Sequence, residues 1–251
     1  IIRRGHYSHE MMVVLVTRKE KFFKGKEIAA VIHEEIPEVV SVIQNINEEK
    51  TNVILGDKEK VLFGRSYIED QLLGNTYRIS SKSFYQVNAE QTEKLYQTAI
   101  EFADLKKEDV VIDAYSGIGT IGLSLAAQVK QVYGMELIPE AIEDAQFNAL
   151  TNKIENAHYE VGKAEIVMKK WQEKGIKPSV IVVDPPRKGL DSHFIESTVG
   201  MSPEKIIYIS CNPATFARDA KLFADSGYEV RKVQPVDLFP QIHHVELVAL
   251  I

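Results

Sequence analysis

The sequence predicts an α/β protein: a doubly wound, mostly parallel sheet of about seven strands, preceded by a small α+β appendage. Three observations carry this. From residue 81 onward, short apolar runs alternate with amphipathic stretches, the order expected of strands interleaved with helices. The central runs are apolar throughout, as strands covered on both faces must be. The last two runs have no helix between them, so they pair antiparallel at one edge.

In chain order, Asp109 to Asp113 is the first strand of the main domain and Gly119 to Gln128 its helix. Gln131 to Glu136 is a strand, and Pro139 to Leu150 a helix with proline in its first turn, where a missing N–H costs nothing. Ala157 to Val161 and Lys163 to Lys174 are the next strand and helix. Ser179 to Asp184 is the most strand-like run, β-branched and without polar interruption. Ser192 to Val199 leads into the run Lys205 to Ser210 and the helix Pro213 to Asp225. Glu229 to Val236 and Val245 to Ile251 close the sheet. Residues 1–80 differ: Met11 to Thr17, Lys60 to Phe63 and Asn75 to Ser80 are strand-like, and Lys26 to Glu35 is helical. Asn88 with Gln91 is a capping-box signature for a helix through Phe102. The expected division is an appendage over 1–80 and a main domain over 81–251.

At 251 residues, 45% hydrophobic and 26% charged, the chain suits one medium domain plus an appendage. No apolar run approaches the roughly 20 residues needed to cross a bilayer, so no membrane role is expected. The start, Ile1 to Arg4, lacks an initiator methionine and a signal-peptide pattern and runs straight into a strand-like segment, so a fragment of a longer chain is expected. The single cysteine, Cys211, excludes an internal disulfide and a four-cysteine metal site within these residues. A cytoplasmic, reducing compartment is the expected setting. The net charge of −6 lies wholly in residues 81–251, with 18 Lys+Arg against 24 Asp+Glu, while residues 1–80 balance at 12 against 12. Phosphate neutralisation is a local requirement, so this charge does not exclude a nucleic-acid partner.

Open α/β sheets bind ligands at the carboxyl ends of their strands, which singles out Asp113, Glu136, Asp184 and Cys211. Residues 113–122, "DAYSGIGTIG", contain G-x-G-x-x-G between a strand and a helix, with Glu136 19 positions after Gly117. The glycines let backbone approach a ligand, and the acid can hold both hydroxyls of a ribose. Those features serve S-adenosylmethionine as well as a nicotinamide dinucleotide, since both carry an adenosine. Asp113 and Tyr115 favour the first, because an acid just before the loop meets a cation and repels a pyrophosphate. A tight turn without ligand is the bland alternative.

Asp184-Pro-Pro-Arg187 ends the most buried strand, and its prolines hold the backbone extended so that the Asp side chain is presented rigidly. That carboxylate can accept from an N–H of a planar base; a stiff loop with a capping Asp is the alternative. A lone cysteine is usually a small core hydrophobe. Cys211, however, directly precedes Asn212-Pro213, an N-cap and first helical residue, where the helix end favours a thiolate. That position favours a reactive thiol. Glu246 enters an apolar strand, where burial raises a carboxyl pKa and suits a general base; a satisfied structural glutamate is the alternative. His243 and His244, adjacent on an extended chain, point to opposite faces and have no clustered partners, so no metal site is expected. Arg187 and Lys188 can contact phosphate or form a solvated pair.

Six stretches in order, "FYQVN" at 84–88, "DAYSGIGTIGL" at 113–123, Glu136, "DPPRKGL" at 184–190, "SCNP" at 210–213 and "FPQIHHVE" at 239–246, resemble the RNA uracil-C5 methyltransferases that use S-adenosylmethionine. The Gly motif alone is weak; "DPPR" with "SCNP" and a terminal "HHVE" is specific. The likeness covers 84–251 and is closer to the branch acting on 23S ribosomal RNA than to the transfer-RNA branch. The resemblance implies a Rossmann-like methyltransferase sheet. It implies S-adenosyl-L-methionine as cofactor, bound by Gln86, Tyr115, Gly117, Glu136 and Asp184, with Cys211 as nucleophile and Glu246 as base. It further implies a monomeric enzyme whose partner is RNA, ribosomal ahead of transfer RNA, with the target uridine unpaired or flipped out. Family members usually begin with an OB-like domain and a central domain; here the first is absent and the second begins partway. Some relatives hold an iron–sulfur cluster on N-terminal cysteines that this sequence lacks. Two other classes stand beside this reading: a nicotinamide oxidoreductase, which leaves "DPPR" beside a strand-end cysteine unexplained, and a catalytically silent RNA-binding module, which needs no thiol.

Overall fold

In the computed structural model, which describes residues 1–50 and 52–251, the chain divides into two units, Ile1–Tyr85 and Gln86–Ile251. The first contains β1 (Ile2–Arg4), β2 (Met11–Thr17), α1 (Gly25–Glu35), β3 (Val39–Ile46), β4 (Lys58–Gly64), β5 (Tyr67–Leu72) and β6 (Asn75–Ser80). Strands β1 to β4 form one sheet in that order, β2 and β3 being parallel and the other neighbours antiparallel. β5 and β6 form a separate hairpin, whose turn residues Leu73 and Gly74 are both left-handed, as a tight two-residue turn requires.

β3 and β5 are strands that the sequence pattern conceals. In β3 the apolar run is broken by Ser41, Gln44 and Asn45, yet all three are buried. Gln44 Nε2 donates to Thr17 Oγ1 at 2.9 Å and to the carbonyls of Lys19 and Glu20 at 3.2 and 3.1 Å. Asn45 Nδ2 donates to the Gly56 carbonyl at 2.9 Å, and its Oδ1 accepts from the Gly56 N–H at 2.7 Å. A buried amide is tolerated when it is bonded in this way. In β5 the inward positions are Ile68, Asp70 and Leu72, so a charge stands where an apolar residue is expected. Asp70 accepts from the N–H groups of His6, Tyr7 and Ser8 at 2.8, 2.9 and 3.1 Å, which offsets its desolvation.

The second unit opens with α2 (Ala89–Ala103), capped by Asn88 Oδ1 accepting from the Gln91 N–H at 3.3 Å. There follow β7 (Val110–Ala114), α3 (Thr120–Ala126), β8 (Gln131–Glu136), α4 (Pro139–Thr151), β9 (Ala157–Val161), α5 (Ala164–Glu173) and β10 (Val180–Val183). The chain then forms α6 (Ser192–Met201), β11 (Lys205–Ser210), α7 (Pro213–Asp225), β12 (Lys232–Val236) and β13 (Glu246–Leu250). These strands make the seven-stranded, doubly wound sheet read from the sequence, in the order β12-β13-β11-β10-β7-β8-β9. β9 through β11 are parallel; β13 is antiparallel to both β11 and β12. β12 forms the exposed edge, with Pro235 and Lys232 suited to an unpaired border. One face of the sheet packs Ile112, Ile181, Ile206 and Ala249 against Met168, Trp171, Phe194 and Phe223 of the helices. Among the described residues, no helix is long and apolar enough to cross a membrane.

Candidate active site

Strand register brings the candidate residues to one edge of the second unit. Asp113 pairs with Gly134 and Ala114 with Met135, so Tyr115 and Glu136 come next on that ladder. Val183 pairs with Ala114 on one side and Tyr208 on the other, which sets Asp184 level with Tyr115. β13 runs the opposite way: Ser210 pairs with Leu247, so Cys211 and Glu246 are neighbours one step past the last rung.

The turn after β7 is tight. Tyr115, Gly117 and Gly119 all have positive φ, at 64°, 54° and 85°. Glycine adopts this freely, whereas for Tyr115 it costs about 1 kcal/mol or more. A Cβ on Gly117 would meet nothing within 4 Å, so the loop is open there. One on Gly122 would come 2.8 Å from Asp113 Oδ2, so that glycine serves the packing of α3 on β7. Asp113 is fully buried; its Oδ2 accepts from the Gly122 N–H at 2.8 Å, while Oδ1 is buried with no hydrogen-bond partner. Burial pushes its carboxyl up to about 7, against the Gly122 N–H, with Glu136 adding to the rise. Glu136 Oε1 accepts from the N–H groups of Leu137 and Ile138 at 2.6 and 3.1 Å, and Oε2 from the Gly117 N–H at 3.3 Å. That carboxylate ties the glycine loop to the segment entering α4. Tyr115 packs on Phe194, with ring centroids 5.6 Å apart.

Across the edge, Asp184 is half-buried, and burial, then Glu246 and Asp113, raise its carboxyl to about 7. Burial also raises Glu246, opposed by Arg187. Cys211 is half-buried and lines a cleft of about 240 Å³ with Arg187, Asn212, Pro213, His243, His244 and Val245. It is therefore not a core hydrophobe. The expected sign of its titration is corrected: the thiol is raised by burial and by Glu246 and Asp184, with Arg187 acting in the opposite sense. The first turn of α7 is already capped by Asn212 Oδ1, which accepts from the Ala214 N–H at 3.1 Å, and two nearby carboxylates outweigh the helix end. The expectation that His243 and His244 point apart is also corrected. Ile242 and His243 lie in a bend rather than a strand, and the two rings are 4.0 Å apart.

Gln86 is half-buried in the irregular segment before α2; among the described residues no hydrogen bond joins it to the others of the set. Asn88 Nδ2, two residues on, donates to the Leu238 carbonyl at 2.8 Å and so ties this segment to the start of the 239–246 loop.

A family model described as tRNA (uracil-5-)-methyltransferase matches residues 24–251. The chain belongs to that family. It is 59% identical over its whole length to an uncharacterized RNA methyltransferase of Streptococcus pyogenes and 57% identical to one of Streptococcus mutans. It spans about half the length of these curated relatives, 54% and 56%. Among solved structures, the tRNA (uracil-54, C5)-methyltransferase of Pyrococcus abyssi in complex with S-adenosyl-L-homocysteine superposes with a TM-score of 0.79 at 29% identity, covering 99% of this chain and 58% of that one.

A clamp that sequence patterning does not reveal holds the 184–190 loop. Asp219, fully buried in α7, accepts from the Leu190 N–H and the Tyr208 hydroxyl, both at 2.7 Å, and from Arg218 Nε at 2.9 Å. Arg218 also donates to the carbonyls of Lys188 and Leu190 at 2.9 and 3.2 Å. Asn212 Nδ2 and Thr215 Oγ1 donate to the Arg187 carbonyl at 3.2 and 3.3 Å. Gly189 has φ 76°, and a Cβ there would lie 2.5 Å from Asp219 Oδ2. The readable signal was Tyr208, a hydroxyl in the middle of the buried strand Lys205–Ser210, flanked on both sides by isoleucine.

The Asp113 carboxyl fixes a pH dependence. Its folded value of about 7 lies above the ordinary 3.8, so between these values the unfolded chain has lost a proton that the native chain keeps. This contribution is complete below pH 4 and is lost as pH rises to about 7, at most about 4 kcal/mol at roughly 1.4 kcal/mol per unit. Urea midpoints of the ligand-free chain should therefore fall over this range, and Asp113→Asn should flatten the fall; an equally steep profile in the variant would refute the assignment.

Proposed function

We propose that this chain carries the catalytic part of an S-adenosyl-L-methionine-dependent RNA methyltransferase that acts on C5 of uridine. One observation carries the reading: a cleft-lining thiol, Cys211, stands in register beside Glu246 at the sheet edge that also bears the glycine loop and Glu136. The residues fit the cofactor. The loop is open at Gly117, Glu136 can accept from ribose hydroxyls, and Asp113 and Asp184 hold raised carboxyls that a nearby positive charge would ionise. When bound, the cofactor supplies a methyl group on a positively charged sulfonium.

Uracil C5 is too weak a nucleophile to accept that methyl unaided. Cys211 loses its proton to water in the open cleft, helped by Arg187, and the thiolate adds to C6. The C5–C6 π pair moves onto C5 and O4 as an enolate, which makes C5 the nucleophile that would take the methyl group the cofactor supplies, the methyl–sulfur bond breaking with its electron pair left on sulfur. Asp184 orients the ring by accepting from N3–H. Glu246 then takes the C5 proton; the C–H pair restores the C5–C6 double bond and Cys211 leaves as thiolate. The uridine must leave any base stack to enter such a crevice.

The motif resemblance supports 23S ribosomal RNA as the substrate. A second reading, transfer RNA, is supported by the family description and by the Pyrococcus likeness. Mapping 5-methyluridine in both RNA classes from cells lacking the protein decides between them; loss in neither would overturn the activity. Cys211→Ala should abolish turnover while S-adenosylhomocysteine binding by calorimetry stays close to wild type. Glu246→Gln should slow turnover by about 10²–10⁴-fold and accumulate a methylated protein–RNA adduct on denaturing gels. A normal rate without adduct would remove Glu246 from its role.

A further inference from the structure

The segment from the end of β2 into the first turn of α1 runs against the charge of the chain. Residues 18–26 read "RKEKFFKGK", five cations and one acid in a protein of net charge −6. The acid is already engaged: Glu20 accepts from Lys60 Nζ at 2.6 Å, and Lys60 with Lys58 holds its carboxyl below the ordinary range. Glu27 follows in the first turn of α1. Arg18, Lys19, Lys21, Lys24 and Lys26 are all exposed, and Phe23 is 76% exposed. Lys24 Nζ lies 5.6 Å from the centre of the Phe23 ring.

This loop is held in shape. The buried Gln44 amide bonds the carbonyls of Lys19 and Glu20, and Thr17 Oγ1 donates to the Lys19 carbonyl at 3.0 Å. Phe22 is half-buried against Gly25, and Lys24 turns the chain into α1 with φ 53°. Of two adjacent aromatic rings, one is therefore used for packing and the other is displayed among cations. Cations that meet phosphates, interleaved with a flat ring that meets a base, are the composition that binds unpaired nucleic acid.

We infer that residues 18–26 form an RNA-contacting surface, with Arg18, Lys19, Lys21, Lys24 and Lys26 neutralising phosphates and Phe23 stacking on an unpaired base. This rests on the RNA reading above. The test uses the full chain with a fluorescein-labelled oligouridylate and a transcribed 23S ribosomal RNA fragment, titrated at several salt concentrations. The triple variant Lys21→Ala, Lys24→Ala, Lys26→Ala should lower the slope of log affinity against log salt by about 2, at roughly 0.7 per single-strand phosphate. Phe23→Ala should weaken binding on the order of tenfold with the slope unchanged. S-adenosylhomocysteine binding should not change in either variant. Unchanged RNA affinity and slope, with a wild type that binds and methylates, would overturn the loop assignment alone. A wild type that binds RNA without methylating it, with both variants weakened, supports the loop and sinks the methylation reading. A wild type that binds neither RNA sinks both.

Discussion

The site depends on one strand running against the others. In a parallel sheet every strand presents its last residues to the ligand edge and its first residues to the far edge. Only a reversed strand can bring its first residue to the crevice, and β13 begins with Glu246. Leu247, Val248, Ala249 and Leu250 are buried, and β13 lies between β11 and β12. A slip of one residue would draw the Glu246 carboxylate into the buried position of Leu247, so burial opposes it. The adjacency of Cys211 and Glu246 is therefore a consequence of apolar packing several residues away, and no bond between the two is needed to maintain it.

Two kinds of buried carboxylate in the second unit separate structure from chemistry. Asp219 is surrounded by donors from Leu190, Tyr208 and Arg218, so its charge is compensated where it stands. Asp113 accepts one bond on Oδ2 and leaves Oδ1 bare; burial, then Glu246 and Asp113, raise Asp184, and burial raises Glu246 against the opposing charge of Arg187. A fold that compensates one buried acid fully has the means to compensate the others. Leaving these three under-compensated at one sheet edge places the deficit of positive charge where a cationic ligand would enter.

Much of this was legible in the sequence, for a physical reason. Strands buried on both faces must be apolar, so β7, β10 and β11 appear as uninterrupted runs, and the glycines of residues 117–122 mark a turn that side chains resist. β3 and β5 were not legible, because Gln44, Asn45 and Asp70 are buried on hydrogen bonds to distant backbone that no local pattern encodes. The thiol of Cys211 was misjudged in sign for a related reason. The helix start is visible locally, whereas Glu246 and Asp184 reach Cys211 only through strand pairing. His243 and His244 were misplaced because their segment bends where alternation assumes extension.

The concealed polar residues of the first unit share a further property: each ends on a loop. Asp70 gathers the N–H groups of residues 6–8, Gln44 holds the carbonyls of 19 and 20, and Asn45 pairs with both backbone groups of Gly56. Apolar residues at those positions would support the sheet more cheaply, since a buried amide or carboxylate must first give up water. What the polar residues add is direction: a hydrogen bond fixes where a loop lies, and dispersion contacts do not. A loop ordered before it meets a partner loses less conformational freedom on binding, so more of its contact energy remains as affinity. Buried polar side chains that hold exposed backbone in place are what a unit needs if its task is to present loops.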